Sequence, residues 1–552
     1  MTTFNLKNQN RKSLFFRYII GGLVLVPSEE HSTIVSTKSG KIRGKINDVL
    51  GVKVNTFLGI PYGKEPTGRL RFRRTHPVRP WTNTFDATRL PPACIQSEYT
   101  QRLFPVKILN WQISEDCLYM NIWSPVTNET SLPVMVWIHG GMFTIGSVGV
   151  DEYDGSVLAS FGNVVVVSIQ YRLGLFGFLD LENDEIPGNM GLYDQAMALK
   201  WINENIANFG GDPNLVTLFG QSAGGISIGM HMMAPQTKDL FKRVILQSGS
   251  PMLLNQVFTR GQKTAEAFVR KIDCFPEGTD IYDSLEMVVR CIDNTKLKKI
   301  NDAQQAMVTN NPVPFLPTIP SEYIESFPTE DNENITFNQK EFLIGFNRDE
   351  GSLILHLSYP KNYTRTTVPT INTLEEARDT IIRMAVDGGF PETQAKSMAS
   401  VLLNGNETDT PENWARKIGA VFGDIMFICP TARFADKFSA LNSTVYMPQS
   451  SVWGKWMGVT HHDELNFVFG VPLRYPNMFD GEDINFSKRL MKTWTHFART
   501  GSVSPIDYHN DWPPYDFSKP YMDLNTKNAY IGHRYHEETC NLYNALIEYF
   551  SR

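Results

Sequence analysis

A serine hydroxyl attacks a carbonyl when a base takes its proton and donors hold the charge that develops. The segment Gly220-Gln221-Ser222-Ala223-Gly224 offers such a hydroxyl. It follows the apolar run Leu215–Phe219 and precedes an apolar stretch from Ile226, so the pattern reads strand, sharp turn, helix. Glycines flank Ser222 because so tight a turn leaves no room for side chains there. The helix that follows aims its positive end and free N–H groups at the same point. G-x-S-x-G alone arises often by chance; the strand before it and the helix after it carry the reading.

The charge that develops on the carbonyl oxygen needs donors. His139-Gly140-Gly141-Met142-Phe143 directly follows another apolar run, Leu132–Ile138. Glycines let backbone N–H groups face a ligand, so the N–H groups of Gly140, Gly141 and Ala223 are the expected oxyanion donors. Losing one such donor typically costs about 3–4 kcal/mol of transition-state stabilisation. His139 has no neighbouring metal-ligand partner in the sequence, and no cofactor or metal is expected.

The base needs an orienting acid, and in strand–turn–helix hydrolases the chain order is Ser, acid, His. Downstream of Ser222, Phe342-Leu-Ile-Gly-Phe-Asn-Arg-Asp349-Glu350-Gly351 places two carboxylates just past a run of strand type. The loop Gly458-Val-Thr-His461-His462-Asp-Glu464 offers two histidines. Spacing does not choose between Asp349 and Glu350, or between His461 and His462. His356 and His496 stand in apolar surroundings and read as packed or capping residues.

These residues need a frame. Leu132–Ile138, Val164–Ile169, Leu215–Phe219, Val244–Gln247 and Phe342–Phe346 read as buried strands. Gly191–Asn208 reads as a helix with Leu192, Ala196, Leu199, Ile202 and Ile206 on one face. Apolar strands separated by helices predict a mostly parallel sheet covered on both faces. Glu375–Lys437 reads as mainly helical, a subdomain over the sheet. No repeat or low-complexity linker interrupts the chain, so the 552 residues form one large domain, 29–552, after an N-terminal leader.

That leader carries Lys7, Arg11 and Lys12 before the apolar run Tyr18–Val26 and then Pro27 and Ser28, the layout of a signal peptide over residues 1–28. Arg17 stops the run from reaching the length of a membrane anchor, and no other segment reads as a span. Six cysteines, Cys94, Cys117, Cys274, Cys291, Cys429 and Cys540, follow such a start; the even number favours disulfides, for which fifteen pairings exist. Sequons at Asn128, Asn334, Asn362, Asn406, Asn442 and Asn485 are glycan acceptors in a secreted chain. A net charge of −6 without a Lys/Arg block argues against nucleic acid and against an anionic membrane surface as partners. At Asn541–Phe550, Leu542, Leu546 and Tyr549 have helical spacing, a face for a homodimer or for the chain's own core.

Taken together, the chain resembles the type-B carboxylesterase/cholinesterase family of α/β-hydrolases over nearly all of residues 33–550. The resemblance rests on Phe57-Leu-Gly-Ile-Pro-Tyr62, Leu70-Arg71-Phe72, Glu115-Asp116-Cys117-Leu118-Tyr119 and Gly188-Asn189-Met190-Gly191-Leu192. It rests also on Phe219-Gly220-Gln221-Ser222-Ala223-Gly224, Gln247-Ser248-Gly249-Ser250 and Phe467-Val468-Phe469-Gly470. It implies an α/β-hydrolase fold and an esterase with a small-molecule ester as partner; the leader and the cysteines are what make a secreted, extracellular enzyme the expectation. It further implies Glu350 as the acid, His461 as the base and the sequential disulfides Cys94–Cys117, Cys274–Cys291 and Cys429–Cys540. Arg71–Glu115 and Arg172–Asp194 are implied as internal ion pairs.

The chain departs from the cholinesterase branch at several points. Gln221 stands where cholinesterases carry Glu, and Leu353 and Ile354 stand where they carry aromatic residues. The stretch Asn311-Pro-Val313-Pro-Phe315 stands where they narrow the acyl pocket with Phe, and Trp111 lies closer to Cys117 than the choline-site Trp. The segment between Val445-Tyr446 and Trp456-Met457 is also shorter than in the family. A general carboxylic ester hydrolase is therefore the leading expectation. Acetylcholinesterase and juvenile hormone esterase are the alternatives within enzymes. A non-catalytic adhesion ectodomain, as in neuroligins and glutactin, is the alternative outside them.

Overall fold

The computed structural model describes residues 32–551 apart from 104–106, 254–260, 276–279, 311–313, 327–339, 365, 369, 388–389, 404–408, 439–442, 445, 449–454, 504–511 and 528. The signal-peptide expectation, the sequons at Asn334, Asn406 and Asn442, and most of the shortened segment before Trp456 lie outside the described residues.

The central sheet takes its strands from Ser32–Thr37 (β1), Gly40–Val49 (β2), Val52–Pro61 (β3), Tyr119–Pro125 (β4), Leu132–Ile138 (β5), Val165–Ile169 (β6), Gly211–Gln221 (β7), Arg243–Gln247 (β8), Glu341–Gly345 (β9) and Ser443–Thr444 (β10). Their spatial order is β1-β2-β3-β4-β6-β5-β7-β8-β9-β10. From β6 to β10 every pairing is parallel; from β1 to β6 neighbours in this order are antiparallel, and the short strand Phe85–Asp86 adds a parallel pairing to the side of β2. The expectation of a mostly parallel sheet thus holds for the half that carries Ser222. The other half is antiparallel, with hairpins joining β1, β2 and β3, and there the pattern differs: β1 alternates exposed and half-buried residues, as a strand with one wet face must.

All seven residues of β5 are buried. Side chains alternate between faces along a strand. Val134, Val136 and Ile138 accordingly join one core and Met135 and Trp137 the other. Trp137 packs against Tyr153, Phe219 and Phe469, with ring centroids 4.9–5.2 Å away. Cutting such a side chain to alanine costs about 3–5 kcal/mol.

The helices that position the site are Met190–Asn205 (α1), Ala223–Met233 (α2), Gly351–Ser358 (α3), Leu374–Asp387 (α4), Glu392–Leu402 (α5), Pro411–Gly423 (α6), Cys429–Phe438 (α7), Gly481–Thr500 (α8) and Glu537–Ser551 (α9). The expected apolar face of α1 is buried throughout, and a 3-10 turn, Ile206–Phe209, finishes the segment before Gly210 at φ 86°. Helix α6 starts at Thr410, whose side chain accepts from the Asn413 N–H, with Pro411 in the first turn. It runs through a π-helical turn, Asp424–Ile428, into α7. This stretch, Pro411–Lys437, is long and apolar enough to cross a bilayer, which the sequence reading did not anticipate, but 78% of its apolar window is buried. It is a core helix of the helical region expected at Glu375–Lys437.

Cross-links and buried ion pairs close the loops around this frame. The disulfides are Cys94–Cys117, Cys274–Cys291 and Cys429–Cys540. Arg172 holds Asp194 through Nε at 2.8 Å and Nη2 at 2.9 Å, with both side chains buried. Arg71 Nη2 meets Glu115 Oε2 at 2.9 Å. Removing one member of a buried pair strands the other charge, at a cost of about 3–5 kcal/mol.

Candidate active site

Parallel strands in register end side by side, so the loops leaving their carboxyl ends meet. Gly220 of β7 pairs with Ile138 of β5, and Gln221 pairs with Gln247 of β8, which pairs with Gly345 of β9. The next residues along these strands are His139, Ser222, Ser248 and Phe346. Every functional candidate except His461 therefore stands on one edge of the sheet before any side chain is placed.

Ser222 takes φ 56° and ψ −124° between β7 and α2. Such a positive φ is rare for a residue with a side chain and marks the strained elbow expected from the sequence. Its N–H donates to the Gln247 carbonyl at 2.8 Å, and its carbonyl accepts from Ile226 at 2.9 Å. The turn requires Gly224, because a Cβ there would lie 1.9 Å from the Ile138 oxygen. Ser222 is 8% exposed, and its hydroxyl makes no hydrogen bond among the described residues.

The glycine loop after β5 arches over this elbow. Gly141 adopts φ 110°, Met142 55° and Phe143 56°. The N–H groups of Gly140, Gly141 and Ala223 donate to no backbone carbonyl among the described residues. His139 is not a ligand or a base. Its Nδ1 lies 2.8 Å from the Gly140 oxygen, and its ring stacks on Tyr171 at 4.5 Å. Burial pushes its pKa down to about 4, so it is neutral and structural near pH 7.

The ambiguous pairs separate in space. His461 Nδ1 lies 2.5 Å from Glu350 Oε2. Glu350 is fully buried; its other oxygen accepts from the Ser248 hydroxyl at 2.5 Å and the Asn347 N–H at 2.6 Å. Asp349 instead accepts from the Val459 N–H at 2.7 Å and pairs with Arg348. It pins the histidine loop and does not touch an imidazole. His462 turns away toward Tyr153, and burial first, then the His461 charge, lowers its pKa to about 3. Of the other histidines set aside, His356 bonds the Tyr363 carbonyl through Nδ1 at 2.7 Å.

The sequence reading gave no role to the layer behind this pair. Glu464 is fully buried and accepts from Gln247 Nε2 at 2.9 Å and Asn347 Nδ2 at 2.7 Å. Burial, and then the Glu350 charge, raise its pKa. Trp494 of α8 holds the other end of Gln247 at 3.1 Å. Phe427, from the π-helical turn, packs on the His461 ring at 4.3 Å. Two acids in one short histidine loop signalled Glu464; nothing in a helical pattern signalled Phe427.

His461 Nε2 faces the elbow, and its partner there is the Gln221 side-chain nitrogen at 2.9 Å. With Nδ1–H committed to the carboxylate, Nε2 carries the lone pair and the amide N–H donates to it. A buried imidazole whose basic nitrogen meets the Gln221 amide at the elbow, a serine with strained backbone there and N–H groups of Gly140, Gly141 and Ala223 without a backbone acceptor suit acyl transfer. Of the residues compared with cholinesterases, Leu353 is buried and Ile354 and Trp111 are half-buried. Phe315 is 3% exposed, while residues 311–313 lie outside the described residues.

Comparison with known proteins gives the chain its family. The family model described as Carboxylesterase family matches residues 31–543. The chain is 34% identical over 546 residues to the acetylcholinesterase of Bungarus fasciatus, covering 95% of this chain and 88% of that one.

Proposed function

The chain belongs to the carboxylesterase family, and we propose that it hydrolyses small carboxylic esters through an acyl-enzyme on Ser222. The observation that carries this reading is the 2.5 Å contact of His461 Nδ1 with buried Glu350, which leaves Nε2 basic and directed at the elbow.

Ser222 Oγ bonds to the ester carbon while its proton passes to His461 Nε2. The N–H groups of Gly140, Gly141 and Ala223 hold the oxyanion. The leaving alkoxide departs with that proton. Water then attacks the acyl-enzyme, giving a proton to Nε2, and the acid leaves as Ser222 recovers its hydrogen. Glu350 fixes the imidazole tautomer and stabilises its charged form.

Neutral esters fit better than choline esters. A quaternary ammonium binds aromatic faces, and Leu353, Ile354 and the amide of Gln221 offer none. Purified protein tested on p-nitrophenyl acetate, naphthyl acetate and acetylthiocholine separates the readings. Turnover of all three with no preference for the cation is expected. A strong preference for acetylthiocholine would make the chain a cholinesterase, and no turnover of any ester would favour a binding role.

Secretion and glycosylation are part of the same proposal. Three disulfides and no free cysteine among the described residues suit an oxidising compartment. Asn128, Asn362 and Asn485 are exposed and open to glycan. A homodimer through α9, where Leu542 is 49% exposed, completes it, and light scattering on the purified chain reads the mass directly.

A further inference from the structure

The base has one lone pair, and two groups have a use for it. In this structure the Gln221 amide occupies His461 Nε2 at 2.9 Å, and the Ser222 hydroxyl, next along the chain, does not bond it. Gln221 is 2% exposed and has little room to move. A Cβ on Gly140 would lie 2.5 Å from the Gln221 carbonyl oxygen and 2.9 Å from its Oε1. The side chain is thus wedged between the oxyanion loop and the ring, with its oxygen end toward Gly140 and its donor end toward Nε2. Phe427 packs on the ring and Glu350 fixes Nδ1, so rotation of the imidazole is restrained on three sides.

We infer that Gln221 is a positioning residue for the base: it holds the resting imidazole with Nε2 aimed at the elbow, and it must give up that nitrogen before Ser222 can pass its proton. This rests on the esterase reading above. The Gln221 N–H occupies the Nε2 lone pair that would otherwise take the Ser222 proton. The ionisable groups nearest His461 are Glu350 at Nδ1 and His462, Asp463 and Glu464 on its own loop, with Asp463 turned to the Thr460 N–H; the elbow and the π-helical turn face the ring with the uncharged Gln221 amide and Phe427. Residue 221 is therefore the neighbour of Nε2 whose chemistry a single substitution changes without touching the Glu350 contact.

The test compares the native chain with Gln221→Glu and Gln221→Ala. In Gln221→Glu a carboxylate faces Nε2 and favours the charged ring. The acid limb of kcat/KM for p-nitrophenyl acetate should move up by about 1–3 pH units, the effect of an opposite charge at this distance. In Gln221→Ala, water, which accepts as well as donates, replaces the amide, and a smaller upward move is expected. A residue that only fills space would lower kcat or the melting temperature and leave the limb in place. NMR of histidine-labelled protein without substrate, assigned with His461→Asn, follows the ring itself. If no ester is turned over, the esterase reading fails, yet the ring titration still decides the contact. Midpoints for both variants equal to that of the native chain would overturn the inference.

Discussion

Helix α2 has a buried histidine at each end. At its N-terminal end, His461 meets a carboxylate at Nδ1 and an amide N–H at Nε2. In its last turn, His231 meets the Gln195 amide oxygen at 2.7 Å through Nε2 and the Tyr323 hydroxyl at 2.9 Å through Nδ1. Both rings are bonded at both nitrogens, and both are buried. The difference is the charge of the partners and what lies beside the basic nitrogen. Burial among neutral partners lowers the His231 pKa to about 3 and makes the ring a strut. A carboxylate at Nδ1 lets the first ring carry a proton in passing, and the strained hydroxyl of Ser222 lies next along the chain from its Nε2 partner. Burial alone does not make a catalytic histidine; the charge of its second contact decides.

Substitutions at the two ends should separate rate from stability. Ser222→Ala is expected to lower kcat by on the order of a millionfold with little change in melting temperature, read by ester turnover and calorimetry. Glu350→Gln keeps the shape but loses the charge at Nδ1, and a fall in kcat of about ten-thousandfold is expected. If Glu350→Gln proved nearly silent, the contrast drawn between the two rings would break.

The opposite end should behave in reverse. His231→Phe leaves Gln195 and Tyr323 each short of a buried partner, an expected loss of about 2–4 kcal/mol in denaturant unfolding with kcat at 25 °C retained. The acid dependence sharpens the point. A histidine whose folded pKa is depressed stabilises the fold above its ordinary value near 6.5 and loses that contribution as pH falls toward about 3. The native chain should lose about 1.4 kcal/mol per pH unit at this site over that window, and His231→Phe should lack that component. A smaller effect is expected at Glu464→Gln. Its amide nitrogen must face either Gln247 or Asn347, both donors here, so about 1–2 kcal/mol of stability and a few-fold in kcat should go.

The sequence made most of the parallel half of the sheet legible, because strands buried on both faces are written as unbroken apolar runs. The run Leu132–Ile138 matches β5 end to end. The elbow and the glycine loop were equally legible, since their glycines answer to local sterics. The choice of Glu350 over Asp349 was not, because both stand past the same strand and only the direction of the α3 start separates them. It took the family resemblance to favour one, and the geometry then gave each a different task. The antiparallel half was missed because its strands carry no long apolar run: β1 alternates, and the buried β4 is interrupted by Asn121 and Ser124. The contact between Gln221 and His461 joins residues 240 positions apart, a relation that no local pattern contains.

The central claim is that the hydroxyl at residue 222 is a working nucleophile. Treating the folded chain with a fluorophosphonate and mapping the adduct by peptide mass spectrometry tests it most directly. One adduct per chain on the peptide containing Ser222 is expected, absent in Ser222→Ala and formed far more slowly in His461→Asn. A folded native chain that takes no label, or a label that persists in Ser222→Ala, would contradict it.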